Sequence, residues 1–181
     1  MKVIRTEIPD VLLLEPRVFE DARGVAFESY NRRVFRELVG ADPEFVQDNR
    51  SVSRRNVLRG LHYQVERPQG KLITAVRGEI YDVAVDLRRR SPTFGRWVGF
   101  RLSESDRRLA WLPRGFAHGF LTLSESAEVL YKLDDFWSPS HERTLAWDDA
   151  EVGVRWPLQG EPVLSDKDRR GTPLRSAELF D

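Results

Sequence analysis

Short apolar runs, broken by glycine and proline, recur along most of the chain. Val11-Leu12-Leu13-Leu14 is one such run, ended by Pro16. Val25 to Tyr30 follows the turn signal Asp21-Ala22-Arg23-Gly24, and Val57 to Gln64 is another strand candidate. Leu72 to Val76 precedes a turn at Arg77-Gly78. Ile80 to Leu87 then alternates, with Tyr81, Val83, Val85 and Leu87 on one face and Ile80, Asp82, Ala84 and Asp86 on the other. Trp97 to Leu102, Leu109 to Leu112, Phe116 to Leu123 and Ala127 to Leu133 continue the series. Strands at this spacing, with Gly/Pro turns between them, predict an antiparallel sandwich or barrel. The reading is a mainly β jelly roll with a few short helices. The clearest helix has Asn31 as N-cap, Val34, Phe35, Leu38 and Val39 on one side, and Gly40 as terminator. From about Trp156 the tail is loop-rich and ends in a short helical turn at Ser176 to Phe180. No repeat or linker interrupts the pattern, so residues 1–181 read as a single domain.

Composition narrows the function classes. Lys+Arg is 29 and Asp+Glu is 29, for a formal net charge of +0. That balance argues against a nucleic-acid binder, which needs a basic excess, and against a polybasic membrane anchor. No run approaches the roughly 18 apolar residues of a spanning helix. The first residues carry no long apolar segment of a secretory signal, so a cytoplasmic protein is expected. The chain has no cysteine, which excludes disulfides, cysteine–zinc sites and thiolate catalysis. Only Lys2, Lys71, Lys132 and Lys167 are lysines; the other cations are arginine. Each lysine gains interest because an ammonium can tune its pKa and a guanidinium hardly can.

Four segments concentrate chemistry. Gln47 to Ser51 and Leu58 to Gln64 hold hydrogen-bonding groups about a predicted strand. Gln47 and Asn49 share a face, as do Gly60, His62 and Gln64. Such a polar face either meets solvent or lines a wet cavity. Strict alternation puts Arg59 opposite His62, so a common site for both requires a bulge or bend at Gly60. In Trp111 to Phe120, Gly115 and Gly119 flank an aromatic stretch containing His118. This reads as a ligand approach or as a tight corner with a packed histidine. Tyr131 alternates with Val129 and Leu133 and points to the apolar interior, either as core packing or as a proton donor. Leu164 to Arg169 reads most simply as a solvated charged loop. A metal site has little support: no His-x-His pair exists, and His62 and His118 stand alone. Phosphate-binding glycine loops and a Gly-x-Ser-x-Gly elbow are absent.

Taken in order, these stretches resemble the dTDP-4-dehydrorhamnose 3,5-epimerase family. The likeness runs from Ile8-Pro9-Asp10-Val11 to Leu164-Ser165-Asp166-Lys167-Asp168. Its specific motifs are Phe45-Val46-Gln47-Asp48-Asn49, Leu58 to Gln64, Gln69-Gly70-Lys71-Leu72, Gly78 to Asp86 and Pro113 to Phe120. The resemblance implies a cupin-like jelly roll, a homodimer, no metal and no cofactor. It implies an isomerase of dTDP-rhamnose and polysaccharide biosynthesis that acts on a dTDP-sugar. His62 then matches the general base and Asp168 its paired carboxylate. Tyr131 matches the proton donor on the other face of the sugar, and Lys71 the cation near the keto oxygen. Trp137 falls where the family places an aromatic that stacks on thymine. Arg23, Glu28, Gln47, Asn49, Arg59, His118, Glu142 and Lys167 match nucleotide- and sugar-contacting positions. The segment about Arg23 and Glu28 is the candidate for a contribution from the partner subunit.

That chemistry suits these residue types. Protons at C3 and C5 lie alpha to the C4 ketone, so their removal gives an enolate. A histidine fixed by a carboxylate can act as base, and a lysine can stabilise charge on oxygen. Reprotonation from the other face requires a second acid. Thr74, where many members have arginine, Trp137 in place of tyrosine, and a slightly short loop over residues 64–70 are departures. They leave open inversion at one carbon only, as in antibiotic-sugar enzymes. A metal-dependent cupin enzyme and a non-catalytic sugar-binding jelly roll are the remaining alternatives.

Overall fold

The apolar segments form thirteen strands in the computed structural model, which describes residues 1–181. In chain order these are β1 (Lys2–Arg5), β2 (Leu12–Glu15), β3 (Val18–Asp21), β4 (Gly24–Phe27), β5 (Gln47–Arg54), β6 (Leu58–Gln64) and β7 (Lys71–Arg77). They continue with β8 (Glu79–Asp86), β9 (Trp97–Ser103), β10 (Leu109–Leu112), β11 (Phe116–Thr122), β12 (Ser126–Leu133) and β13 (Glu142–Thr144). The helices are α1 (Arg32–Val39) and α2 (Asp166–Arg169). One antiparallel sheet runs β1-β2-β10-β7-β12-β5 and faces a second, β13-β6-β11-β8-β9. The jelly roll expected from the alternation is present.

Three apolar clusters explain why both sheets are so well buried. The first lies between them: Ile73, Ala110, Leu112 and Val129 from one sheet meet Ile80, Ala84, Leu102, Phe116 and Phe120 from the other. A second covers the outer face of the β6-β11-β8 side, where Leu61, Val83, Val85 and Leu87 pack under Leu145, Val152, Leu174 and Ala177 of the tail. The third seats α1 on the outer face of the first sheet, with Phe35 against Leu12, Leu14, Leu72 and Trp111. The two faces predicted for Ile80 to Leu87 are therefore both interior. This also accounts for a loop-rich tail that is nonetheless ordered.

Local signals and structure agree closely at α1. The Asn31 side chain accepts a hydrogen bond from the Val34 amide, and Gly40 closes the helix at φ 74°. The differences lie where the pattern is weak. β1, β3 and β13 are only three or four residues long and carry charged residues, which hid them. The helical turn expected at Ser176 to Phe180 is instead a single 3-10 turn at Leu174–Ser176, because Leu174 and Ala177 are drawn into the tail cluster. Leu164 to Arg169 is not a solvated loop: Ser165 caps α2 and Asp168 is buried. Thr74 lies on the outer face of β7, its hydroxyl donating to the Arg108 carbonyl at 2.9 Å, while Ile73 and Ala75 face the interior. It is not a cavity residue.

The bulge anticipated at Gly60 is real. His118 pairs with His62 and Phe120 with Arg59, so β6 carries one more residue than β11 across this span. Gly60 sits at φ 126°, and a Cβ there would stand 2.5 Å from the Gly119 Cα. Gly60→Ala is therefore expected to cost about 3 kcal/mol of stability in urea unfolding. Gly24→Ala, at φ 119° but with nothing within 4 Å, should cost clearly less. Equal losses would refute the close-approach argument.

Candidate active site

A cavity of about 410 Å³ opens between the two sheets at one end of the barrel. Its walls are mostly polar because the inner face of β5 carries Gln47, Asn49, Ser51 and Ser53 where its neighbours carry apolar residues. His62, Lys71 and Tyr131 line it, as do Gln47, Asn49, Arg59, His118, Trp137, Glu142 and Lys167. The Gly60 bulge is what lets Arg59 and His62 share it.

His62 is anchored from behind. Its Nε2 lies 2.6 Å from Asp168 Oδ1. Asp168 is only 3% exposed. Its Oδ2 accepts from Ser165 Oγ at 2.7 Å, and the Ser165 hydroxyl oxygen in turn caps the Asp168 amide at 3.2 Å. Burial alone would raise the Asp168 carboxyl, but the hydrogen bonds from His62 and Ser165 outweigh it and hold the group below the usual carboxylate value. With the carboxylate ionised, Nε2 carries the imidazole proton and Nδ1 is left as a lone-pair acceptor. Burial pushes His62 below the ordinary imidazole value against the opposing pull of Asp168, and Lys167 and Lys71 push the same way. The ring is thus a neutral base at neutral pH.

Lys71 is the second electrostatic centre. Its Nζ donates to the His62 carbonyl at 3.2 Å. Burial pushes its pKa down to about 8, while the charges of Asp82 and Glu142 resist the fall. Asp82 is a buried carboxylate behind the cavity wall that the strand pattern did not single out. It is fully buried, its Oδ2 lies 2.8 Å from His118 Nε2, and its Oδ1 has no hydrogen-bond partner. A carboxylate inside an otherwise apolar alternation was the available signal. Ser165 was also missed, although Ser-x-x-Asp is a helix-capping pattern.

The mouth carries the remaining groups. Arg59 Nε donates to Ser53 Oγ at 2.9 Å, and Lys167 Nζ to Glu142 Oε1 at 2.9 Å. Trp137 stands 54% exposed at the rim. Arg23 and Glu28 are not at this cavity. Arg23 pairs with Asp21 at the turn of the β3-β4 hairpin, and Glu28 accepts from Asn31. No cluster of three His, Asp or Glu side chains is arranged to hold a metal ion.

The family model described as dTDP-4-dehydrorhamnose 3,5-epimerase matches residues 5–176. A dTDP-4-dehydrorhamnose 3,5-epimerase of Pseudomonas aeruginosa is 59% identical over 99% of each chain. The crystal structure of dTDP-6-deoxy-D-glucose-3,5-epimerase from Legionella pneumophila, in complex with dTDP-4-keto-L-rhamnose, superposes with a TM-score of 0.96 at 42% identity, covering 99% of this chain and 97% of that one. A 3'-monoepimerase from Streptomyces bikiniensis, in complex with dTDP-quinovose, is similar at 35% identity and TM-score 0.88, covering 94% and 87%.

The placement of Asp82 yields a measurable consequence. Asp82→Asn removes a charge that holds the Lys71 pKa up, so Lys71 should titrate below about 8. Side-chain ¹⁵N NMR can follow it, because Lys2, Lys71, Lys132 and Lys167 are the only lysines. An unchanged Lys71 titration would show that the two groups do not communicate.

Proposed function

The chain belongs to the dTDP-4-dehydrorhamnose 3,5-epimerase family and is an isomerase; on that footing we propose that its cavity inverts C3 and C5 of dTDP-4-keto-6-deoxy-D-glucose to give dTDP-4-keto-L-rhamnose. The observation that carries the mechanism is the position of the two acid–base groups. His62 stands on β6 of one sheet and Tyr131 on β12 of the other, and both line one cavity. A sugar held between the sheets meets a base on one face and a phenol on the other.

The steps follow from that arrangement. His62 Nδ1 takes the proton alpha to the C4 ketone, and the C–H electron pair moves into an enolate. The negative charge on the C4 oxygen is met by the Lys71 ammonium. Tyr131 then returns a proton from the opposite face, which inverts the carbon, and exchange with solvent resets both groups. Repetition at the second carbon completes the double inversion. Each positioned acid or base contributes typically about 10²–10⁴-fold. Asp168 fixes the tautomer of His62, and Asp82 orients His118 toward the sugar. No electrons are gained or lost overall, so the reaction calls for no redox cofactor.

The mouth suits a nucleoside diphosphate. Arg59, held by Ser53, offers a guanidinium for the diphosphate, and the exposed Trp137 ring offers a flat face for thymine. Gln47, Asn49, Glu142 and Lys167 supply polar contacts beside it. We propose that the single domain works as a homodimer. The β3-β4 hairpin pairs only with itself and exposes Val18, Phe19, Val25 and Phe27. A second copy would cover these side chains and receive Arg23 and Glu28 at its own cavity mouth.

His62→Asn should lower kcat by about 10³-fold or more while dTDP affinity, read by calorimetry, changes little. The wild-type protein in D₂O should place deuterium at both C3 and C5, read by proton NMR with the product trapped by a reductase. Exchange and inversion at one carbon would make it a single-carbon epimerase. No exchange at either would overturn the enzymatic reading. The pH dependence is a separate check. Activity needs neutral His62, so it should be lost as pH falls through a value below the ordinary 6.5. It also needs charged Lys71, so it should be lost as pH rises through about 8. A flat profile across that alkaline range would remove Lys71 from the mechanism.

A further inference from the structure

Trp137 has more than half its surface in solvent, so packing alone does not fix its side chain. Its backbone is fixed instead, and by one side chain. Gln64 is 3% exposed, at the end of β6. Its Oε1 accepts from the Ser138 amide at 2.7 Å. Its Nε2 donates to the Phe136 carbonyl at 3.3 Å and to the Arg67 carbonyl at 2.8 Å. The carbonyl before Trp137 and the amide after it are therefore tied to the same carboxamide. Both amide donors and one lone pair of Gln64 are used in these bonds, so little is left for a bound molecule. The Trp137 amide itself donates to Gln47 Oε1 at 2.9 Å.

The loop over residues 64–70 supports the same clamp. Gln69 Nε2 donates to the Asp135 carbonyl at 2.9 Å, the Gly70 amide to Asp134 Oδ1 at 2.6 Å, and Arg67 pairs with Asp135. Residues 64–70 thus hold the rim segment 134–138.

We propose that Gln64 is a positioning residue for nucleotide recognition, presetting the Trp137 indole for a pyrimidine nucleoside diphosphate. This rests on the reading that Trp137 stacks on the base. A ring preset by its backbone loses less freedom on binding, so the clamp acts on affinity and leaves the proton transfers alone.

The test is a double-mutant cycle with dTDP as the probe, read by calorimetry on full-length protein, with folding checked by circular dichroism. Gln64→Met removes all three bonds. Gln64→Glu keeps the acceptor for Ser138 and sets a carboxylate against two carbonyls. Each should weaken dTDP roughly tenfold and raise KM by a similar factor, with kcat at saturation held within about twofold. Trp137→Ala should weaken dTDP to a similar extent. Adding Gln64→Met to Trp137→Ala should weaken it by no more than about twofold further, because the clamp then has nothing to position. Wild-type affinity in both Gln64 variants, beside a weakened Trp137→Ala, would overturn the proposal. So would additive losses, which would mean that Gln64 acts by another route. Unchanged binding in Trp137→Ala would refute the stacking reading and the clamp's role with it. Should both Gln64 variants fail to fold, amide exchange in the wild-type protein decides. Ser138 and Trp137 amides protected about 100-fold or more over free peptide support the clamp, and unprotected amides reject it.

Discussion

The 2.6 Å contact between His62 and Asp168 joins residues 106 apart in the chain, and the rest of the site depends on it. It sets the tautomer of the ring, keeps the carboxyl ionised and holds the imidazole at the cavity wall. Nothing local delivers Asp168 there. The tail does so, because Leu145, Val152, Leu174 and Ala177 must find apolar cover and find it on the outer face of the sheet that carries His62. Ser165 then caps α2 and turns Asp168 inward. Hydrophobic packing on the outside of the barrel thereby specifies an acid–base pair on the inside.

The cavity opens where inward positions stop being apolar. Away from it, the positions between the sheets are aliphatic or aromatic and fill the space. β5 instead turns Gln47, Asn49, Ser51 and Ser53 inward, and these side chains leave room and hydrogen-bonding capacity. The cavity's charges are balanced by burial as much as by contact. Lys71 is pulled toward neutrality by desolvation and held charged by Asp82 and Glu142, while His62 is kept neutral by desolvation and by two lysines. One pocket thus holds an ammonium beside an uncharged imidazole, the combination that the proposed enolate chemistry needs.

The residues proposed for affinity and those proposed for chemistry occupy different parts of the structure. The groups to which we assign the proton transfers sit deep, on regular strands whose register is set by backbone pairing and buried packing. The aromatic at the rim sits on an irregular segment whose shape is set by glutamine side chains. Arg23, on the exposed β3-β4 hairpin, and Glu28, just after it, lie away from this chain's cavity.

Alternation and turn residues by themselves determined most of the strands, the jelly roll and the capped helix α1, because those features answer to local geometry and to burial on one face. The motifs pointed to His62, Lys71 and Tyr131, and the isolated glycine in a strand pointed to the bulge at Gly60. The tertiary structure decided what lies behind them. The resemblance matched Asp168 to the carboxylate beside His62, but its charged stretch reads locally as solvated, and the packing of the tail is what buries it. Asp82 reads as one face of an amphipathic strand, and only a second layer on that strand's other side makes both faces interior. Thr74 and Lys71 are three residues apart, and only their opposite faces on β7 separate a surface position from a cavity wall. Pairing between distant segments has no signature in a local pattern, because its energy comes from surfaces that meet only after the chain has folded.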